Sequence, residues 1–261
     1  MLKINVNRRV IATSIFASSP LFMGSNSFAR DKMQQDKIIL GAGTPTIVLI
    51  HGLGSDISSF KKIIKPLSEL SQVVAFNRKG YGGVKFDGQP RGASNIVREL
   101  HEQLSANGIK PPYILVGHSL GGSFARHFAL SYRDEVAGMV LIDPSIPYQS
   151  KTLSEIAPKD FAVFKKIIKL GSPAVRDEFY HSDFNDDPVM KYEPFHLDKT
   201  IILAADNVGK MQNADEYLAI RHSAMRQMVN DFGGKVEIVH SGHFIQNEHP
   251  EIVVNAVKSL L

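Results

Sequence analysis

The chain has 261 residues, 43% hydrophobic and 21% charged, enough apolar material for one α/β domain with a full core. Cysteine is absent, which excludes disulfides, thiolate nucleophiles and thiolate metal sites. The net charge of +4 comes from scattered Lys and Arg with no basic run longer than two residues, so no nucleic-acid partner is expected.

Residues 1–29 read as a targeting segment: Lys3, Arg8 and Arg9 supply a positive start, Val10 to Met23 is largely apolar, and Ser27-Phe28-Ala29 is a small-x-small cleavage site. The mature chain, 30–261, would then begin at Arg30. The apolar run contains serines and Pro20 and is too short for a stable span, so the expectation is export to the periplasm or medium without a stable membrane anchor. Arg8-Arg9-Val10-Ile11 also fits a twin-arginine signal loosely, leaving the export route open.

From residue 37, β-like runs alternate with helical ones, the signature of a mainly parallel sheet covered on both faces. Strands are expected at Lys37 to Leu40 and Thr46 to Ile50, a helix over Ser58 to Leu70, and a strand from Gln72 to Phe76. A helix from Ser94 to Ala106 ends at Asn107-Gly108, and Pro111-Pro112 blocks its continuation. The strand Pro112 to Val116 and the helix Gly122 to Tyr132 follow, the latter with Phe124, Phe128 and Tyr132 four apart on one face. Val136 to Ile142 is a buried strand closing on Asp143-Pro144. Between residues 145 and 199 the rhythm breaks: an amphipathic helix, Phe161 to Leu170, precedes Pro-, Asp- and aromatic-rich sequence without a strand, as in a lid over an active site. Strand Thr200 to Ala204, helix Ala214 to Asn230, strand Lys235 to Val239 and helix Glu251 to Leu261 complete the pattern.

Gly117-His118-Ser119-Leu120-Gly121 carries the chemistry. A serine with glycines two residues to either side, between a strand and a helix, can occupy a strained turn where a side chain at the glycine positions would strike the neighbouring backbone. Ser119 is thereby presented as a nucleophile. A serine hydroxyl needs a base, and His243, in the loop Ser241-Gly242-His243-Phe244, is the candidate; His118 and His240, each adjacent to motif residues, are read as packing or hydrogen-bonding groups. An acid must hold the imidazole, and both Asp143 and Asp206 directly follow a strand at the edge where such sites form. Position alone leaves both open. The Leu120 amide, first on the nucleophile helix, and the Leu53 amide, in His51-Gly52-Leu53-Gly54, are candidate oxyanion donors.

These motifs, with Asn77-Arg78-Lys79-Gly80-Tyr81-Gly82, Arg98-Glu99-Leu100-His101 and Glu135 to Asp143, resemble the α/β-hydrolases over nearly all of the mature sequence, closest to bacterial exported serine hydrolases and esterases with a small lid. The resemblance implies an α/β-hydrolase fold with helices on both faces of the sheet and a small helical lid inserted after the sixth strand. It also implies Ser119 as nucleophile, His243 as base and Leu53 and Leu120 as oxyanion donors, and it tips the acid toward Asp143. Asn77, where relatives usually carry aspartate, departs from the pattern at a structural position.

The expected activity is hydrolysis of a carboxylic ester, a small to medium, partly apolar molecule, through an acyl-enzyme and without a cofactor. Amide, lactone or thioester hydrolysis and acyl transfer are open to the same groups, and a non-catalytic ligand-binding protein is the reading from another class. His181, Asp183, Asp186, Asp187 and His196 match no metal-binding loop, so no metal is expected. Phe161, Phe164, Phe179, Phe184 and Phe195 are candidates for an apolar pocket or for packing that holds the lid down.

Overall fold

The computed structural model describes residues 36–181, 196–197 and 199–261. The targeting segment expected over 1–29 and the lid residues Asp183, Phe184, Asp186, Asp187 and Phe195 lie outside the described residues.

Seven strands form one sheet in the order β1-β3-β2-β4-β5-β6-β7: β1 (Lys37–Leu40), β2 (Thr46–Ile50), β3 (Val73–Phe76), β4 (Tyr113–His118), β5 (Val136–Ile142), β6 (Thr200–Ala205) and β7 (Lys235–Val239). Only β1 runs antiparallel, against β3. Strands β2 to β6 are apolar runs buried almost throughout, because both sheet faces are covered. Alternate residues feed two cores: Val48, Val74 and Leu115 face Phe124 and Phe128 on one side, while Ile47, Val73 and Ile114 face Phe60, Leu67 and Val253 on the other. The fold is the α/β-hydrolase fold.

The first expected helix is divided. A 3₁₀ turn, Ile57–Phe60, is followed by α1 (Ile64–Ser68), because Pro66 has no N–H to extend a helix begun at residue 58. Helix α2 (Ala93–Ala106) ends where expected, with the Asn107 N–H on Gln103 O and Gly108 at φ 69°. Helix α3 (Leu120–Ser131) starts two residues earlier than its apolar face indicates and buries Phe124 and Phe128.

The insertion follows the fifth of the described strands, not a sixth, since one strand alone, β1, precedes β2 among the described residues. It holds α4 (Gln149–Ile156), α5 (Pro158–Leu170) and α6 (Pro173–His181), where the sequence pattern indicates a single helix. Pro158 and Pro173 each open a helix, where a missing N–H costs nothing. Phe161, Phe164 and Phe179 are buried, the last two edge to face with ring centroids 5.5 Å apart, so of the two roles open to them these aromatics take packing, in the core that α3 also joins.

The C-terminal part comprises α7 (Ala214–Phe232), α8 (Ile245–Glu248) and α9 (Pro250–Lys258). Register decides which loops meet. Ile50 pairs with Gly117, His118 with Ile142, Ile142 with Leu203, and Ala205 with Val239. The carboxyl ends of β2, β4, β5, β6 and β7 therefore line one edge, carrying residues 51–54, 119, 143, 206 and 241–244.

Candidate active site

Ser119 joins β4 to α3 with φ 55° and ψ −122°, a conformation that costs a residue with a side chain on the order of 1–3 kcal/mol and persists only where the surroundings enforce it. Three backbone bonds do so: the Ser119 N–H donates to Ile142 O at 3.0 Å, and its carbonyl accepts from Gly122 N at 2.9 Å and Ser145 N at 3.0 Å. The flanking glycines are steric requirements. A Cβ on Gly117 would lie 2.5 Å from Gly121 O, and one on Gly121 would lie 2.1 Å from Ile50 O. Gly52 also passes close, since a Cβ there would sit 3.1 Å from Ser119 Cβ, which sets the Leu53 turn against the serine. The Leu120 amide opens α3, where first-turn N–H groups have no acceptor within the helix and the dipole is positive.

His243 sits in the loop between β7 and α8, and its Nδ1 is 2.5 Å from Asp143 Oδ2. Nδ1–H must donate to the carboxylate, which leaves the Nε2 lone pair to accept a proton. A second contact ties this loop to the end of β4: His118 Nε2–H donates to His243 O at 3.0 Å, and the two rings are 4.7 Å apart. Burial, reinforced by the neighbouring His243, pushes the His118 imidazole down to about 3, so this histidine is a neutral hydrogen-bonding group, as read from its place beside the motif serine.

Asp143 directly follows β5 with φ 40° and is 1% exposed. Besides His243, its carboxylate accepts from Ala205 N at 3.1 Å and from the Arg221 guanidinium at 2.9 and 3.2 Å. Burial alone would raise the carboxyl, but the Arg221 charge and the His243 bond outweigh it and hold the group below the ordinary aspartate range. Stability drawn from this depressed value is present above the unfolded aspartate value and is lost as pH falls through the folded one.

Asp206 is oriented differently. Its carboxylate takes His240 Nδ1 at 3.0 Å and Ser241 N at 3.3 Å, and the His240 side chain is 95% exposed. Of the two aspartates that strand-end position leaves open, Asp143 is the one in contact with His243.

The turn carrying Leu53 is braced by Arg78, whose Nη1 and Nη2 donate to His51 O at 2.6 Å and Gly52 O at 3.0 Å. With two carbonyls of the turn held by the guanidinium, their position is set from beneath. The same guanidinium meets Glu178 of α6 through Nε and Nη2, at 3.1 and 2.6 Å, and Glu178 is 0% exposed. Helix α6 and the turn at residues 51–54 are thus joined through one buried ion pair, held with charge-assisted geometry. His51 is buried and neutral: Nδ1–H donates to Gly52 O at 3.0 Å, and burial with the adjacent Arg78 charge depresses its basicity far below the usual value.

Sequence reasoning passed over Glu178 and Arg221. Each is a charged residue on the apolar face of its helix, Glu178 between Val175 and Phe179, Arg221 midway between Tyr217 and Met225 at four-residue spacing. That position is the available signal, because an isolated charge is too costly to bury without a partner. His181, of the histidines weighed for metal binding, lies with Asp177, and no cluster of metal-ligating side chains occurs among the described residues.

The family model for the alpha/beta hydrolase fold matches residues 45–167, from β2 through the Ser119 turn into α5. The uncharacterized protein YqjL of Bacillus subtilis (strain 168) is 25% identical over 220 residues, 83% of each chain. The human (lyso)-N-acylphosphatidylethanolamine lipase is 31% identical over 115 residues, 42% of this chain and 33% of that protein. Apart from YqjL, the matched stretch spans only 17% to 38% of the length of these curated relatives. Among solved structures, an N-acyl homoserine lactone degrading enzyme superposes with a TM-score of 0.65 at 15% identity, over 86% of this chain and 96% of its own, a likeness of fold.

Proposed function

We propose that this protein is an exported serine hydrolase that cleaves a carboxylic ester of small to medium size and partly apolar character. Ser119 Oγ attacks the ester carbonyl carbon while His243 Nε2 takes its proton, and the charge developing on the carbonyl oxygen is met by the Leu53 and Leu120 amides. Asp143 holds the imidazole in the Nδ1–H tautomer and stabilises its protonated form. The proton then passes to the departing alkoxide, and water releases the acid from Ser119 in a second, similar step. These steps use side chains and backbone amides alone.

The observation that carries the reading is the meeting, at one sheet edge, of a serine held in a strained turn with a histidine whose Nδ1 contacts a buried carboxylate. The human lipase and the lactone-degrading enzyme to which the chain is similar support it by analogy. Residues 30–261 should react covalently with a fluorophosphonate probe at Ser119 and release p-nitrophenol from esters of some chain length. A folded protein that takes up no probe and cleaves no member of a graded ester series is a binding protein, and the proposal falls.

Export rests on the basic, apolar and small-residue pattern of residues 1–29. Mass spectrometry of protein from the periplasm or medium of a bacterial host is expected to find Arg30 at the N-terminus. An intact chain confined to the cytoplasm would contradict this.

A further inference from the structure

Arg221 lies on α7, 5% exposed, among Tyr217, Met225 and Met228 on the face turned to the sheet. Taking a guanidinium out of water is costly unless excellent geometry returns the loss. The return here is a two-pronged pairing with Asp143: Nη1 donates to Oδ2 at 3.2 Å and Nη2 to Oδ1 at 2.9 Å, and Nη2 also reaches Pro144 O at 3.3 Å.

The remaining partners of Asp143 make this more than packing. Oδ1 also accepts the Ala205 N–H, and Oδ2 also accepts His243 Nδ1–H. A carboxylate offers about four acceptor sites, and four donors occupy them. The arginine fork therefore fixes the plane of the carboxylate, and with it the direction in which Oδ2 presents itself to His243. A lysine could supply the charge without the plane.

We propose that Arg221 is a positioning residue for the Asp143–His243 pair, aligning the carboxylate with the imidazole. The inference rests on the hydrolase reading for its kinetic consequences, though not for the Asp143–His243 contact itself. The groups facing Asp143 are Arg221 and Tyr217 of α7, His243 of the β7–α8 loop and His118 at the end of β4. His118 is neutral, and Tyr217 is raised above its usual range by burial, so Arg221 is the fixed positive charge of the group. Removing it leaves the His243 bond alone to oppose the burial that raises the Asp143 carboxyl.

Arg221→Met keeps the apolar stem and deletes the fork. In protein whose circular dichroism is unchanged, kcat at neutral pH should fall roughly 10²-fold with KM within about threefold, since the lost interaction serves the reacting state rather than ground-state binding. The acidic limb of the kcat–pH profile should move to higher pH, because the Asp143–His243 pair holds a proton more readily once the guanidinium charge is gone. Arg221→Lys should return that limb toward wild type while recovering little of kcat, because it restores charge without the fork. Where Arg221→Met does not fold, the lysine variant alone decides. A kcat within threefold of wild type in a folded variant, or a full kcat recovery with lysine, overturns the proposal.

A readout without substrate separates this from the ester reading. The strongly downfield proton resonance of a charge-assisted His–Asp bond should be present in the wild type and in Asp206→Asn, and absent from Arg221→Met. A protein that cleaves no ester yet shows this Arg221-dependent resonance sinks the proposed activity and keeps the positioning role. Persistence of the resonance unchanged in Arg221→Met overturns the positioning role whatever the activity.

Discussion

Ser119→Ala is expected to lower kcat by at least ~10³ and to abolish fluorophosphonate labelling, with the fold retained. The substitution removes one oxygen at the mouth of the turn and no core volume. The backbone bonds that enforce the turn, from Ser119 N to Ile142 O and from Gly122 N and Ser145 N to Ser119 O, involve no side-chain atom. Alanine retains the Cβ and so meets the same strain at φ 55° as serine does, which keeps the change in melting temperature small. Turnover within tenfold of wild type, on whichever ester proves best, would remove Ser119 as the nucleophile.

The second large effect concerns the acid. Asp143→Asn is expected to lose about 10² to 10⁴ in kcat, because an amide no longer selects the Nδ1–H tautomer of His243 nor stabilises its protonated form. The same change strips the buried Arg221 of its counter-charge, and breaking a buried pair on one side costs about 3–5 kcal/mol, so a marked fall in melting temperature should accompany the kinetic loss. Assays at low temperature, with the folded fraction measured, keep the two effects apart. Asp206→Asn should keep most activity and stability, since its partner His240 is exposed and surface pairs contribute ~0–1 kcal/mol. The reverse ranking would move the role to Asp206. Comparable partial losses from both would mean that the carboxylates share the work, with only the double variant falling as far as Ser119→Ala.

Much of this architecture is legible in one dimension because the forces that set it are local. Buried strands such as Thr46–Ile50 and Val136–Ile142 are apolar runs, and α3 shows its core face through Phe124 and Phe128. The nucleophile turn is legible for a steric reason, since only glycine fits at positions 117 and 121 against the backbone they meet. Boundaries were less so. Pro66 divides a segment whose periodicity reads as one helix, and α4 and α6 of the lid pass unnoticed because short helices packed on a body need little periodicity of their own.

The sequence by itself determined an alternating β/α chain, a glycine-flanked serine at residue 119 between a strand and a helix, and two aspartates at strand ends, each from residue type and spacing. His243 as candidate base and the α/β-hydrolase fold came with the resemblance that its motifs carry. Only the tertiary structure decided that the Asp143 carboxylate meets His243 while that of Asp206 takes His240 and the Ser241 amide. It alone brought Arg221 from 78 positions away onto Asp143, and Glu178 from 100 positions away onto Arg78. The reason is physical: a carboxylate's direction is set by the donors that surround it, and here those donors come from other strands, loops and helices, whose approach is fixed by sheet register and helix packing rather than by anything beside the aspartate in the chain.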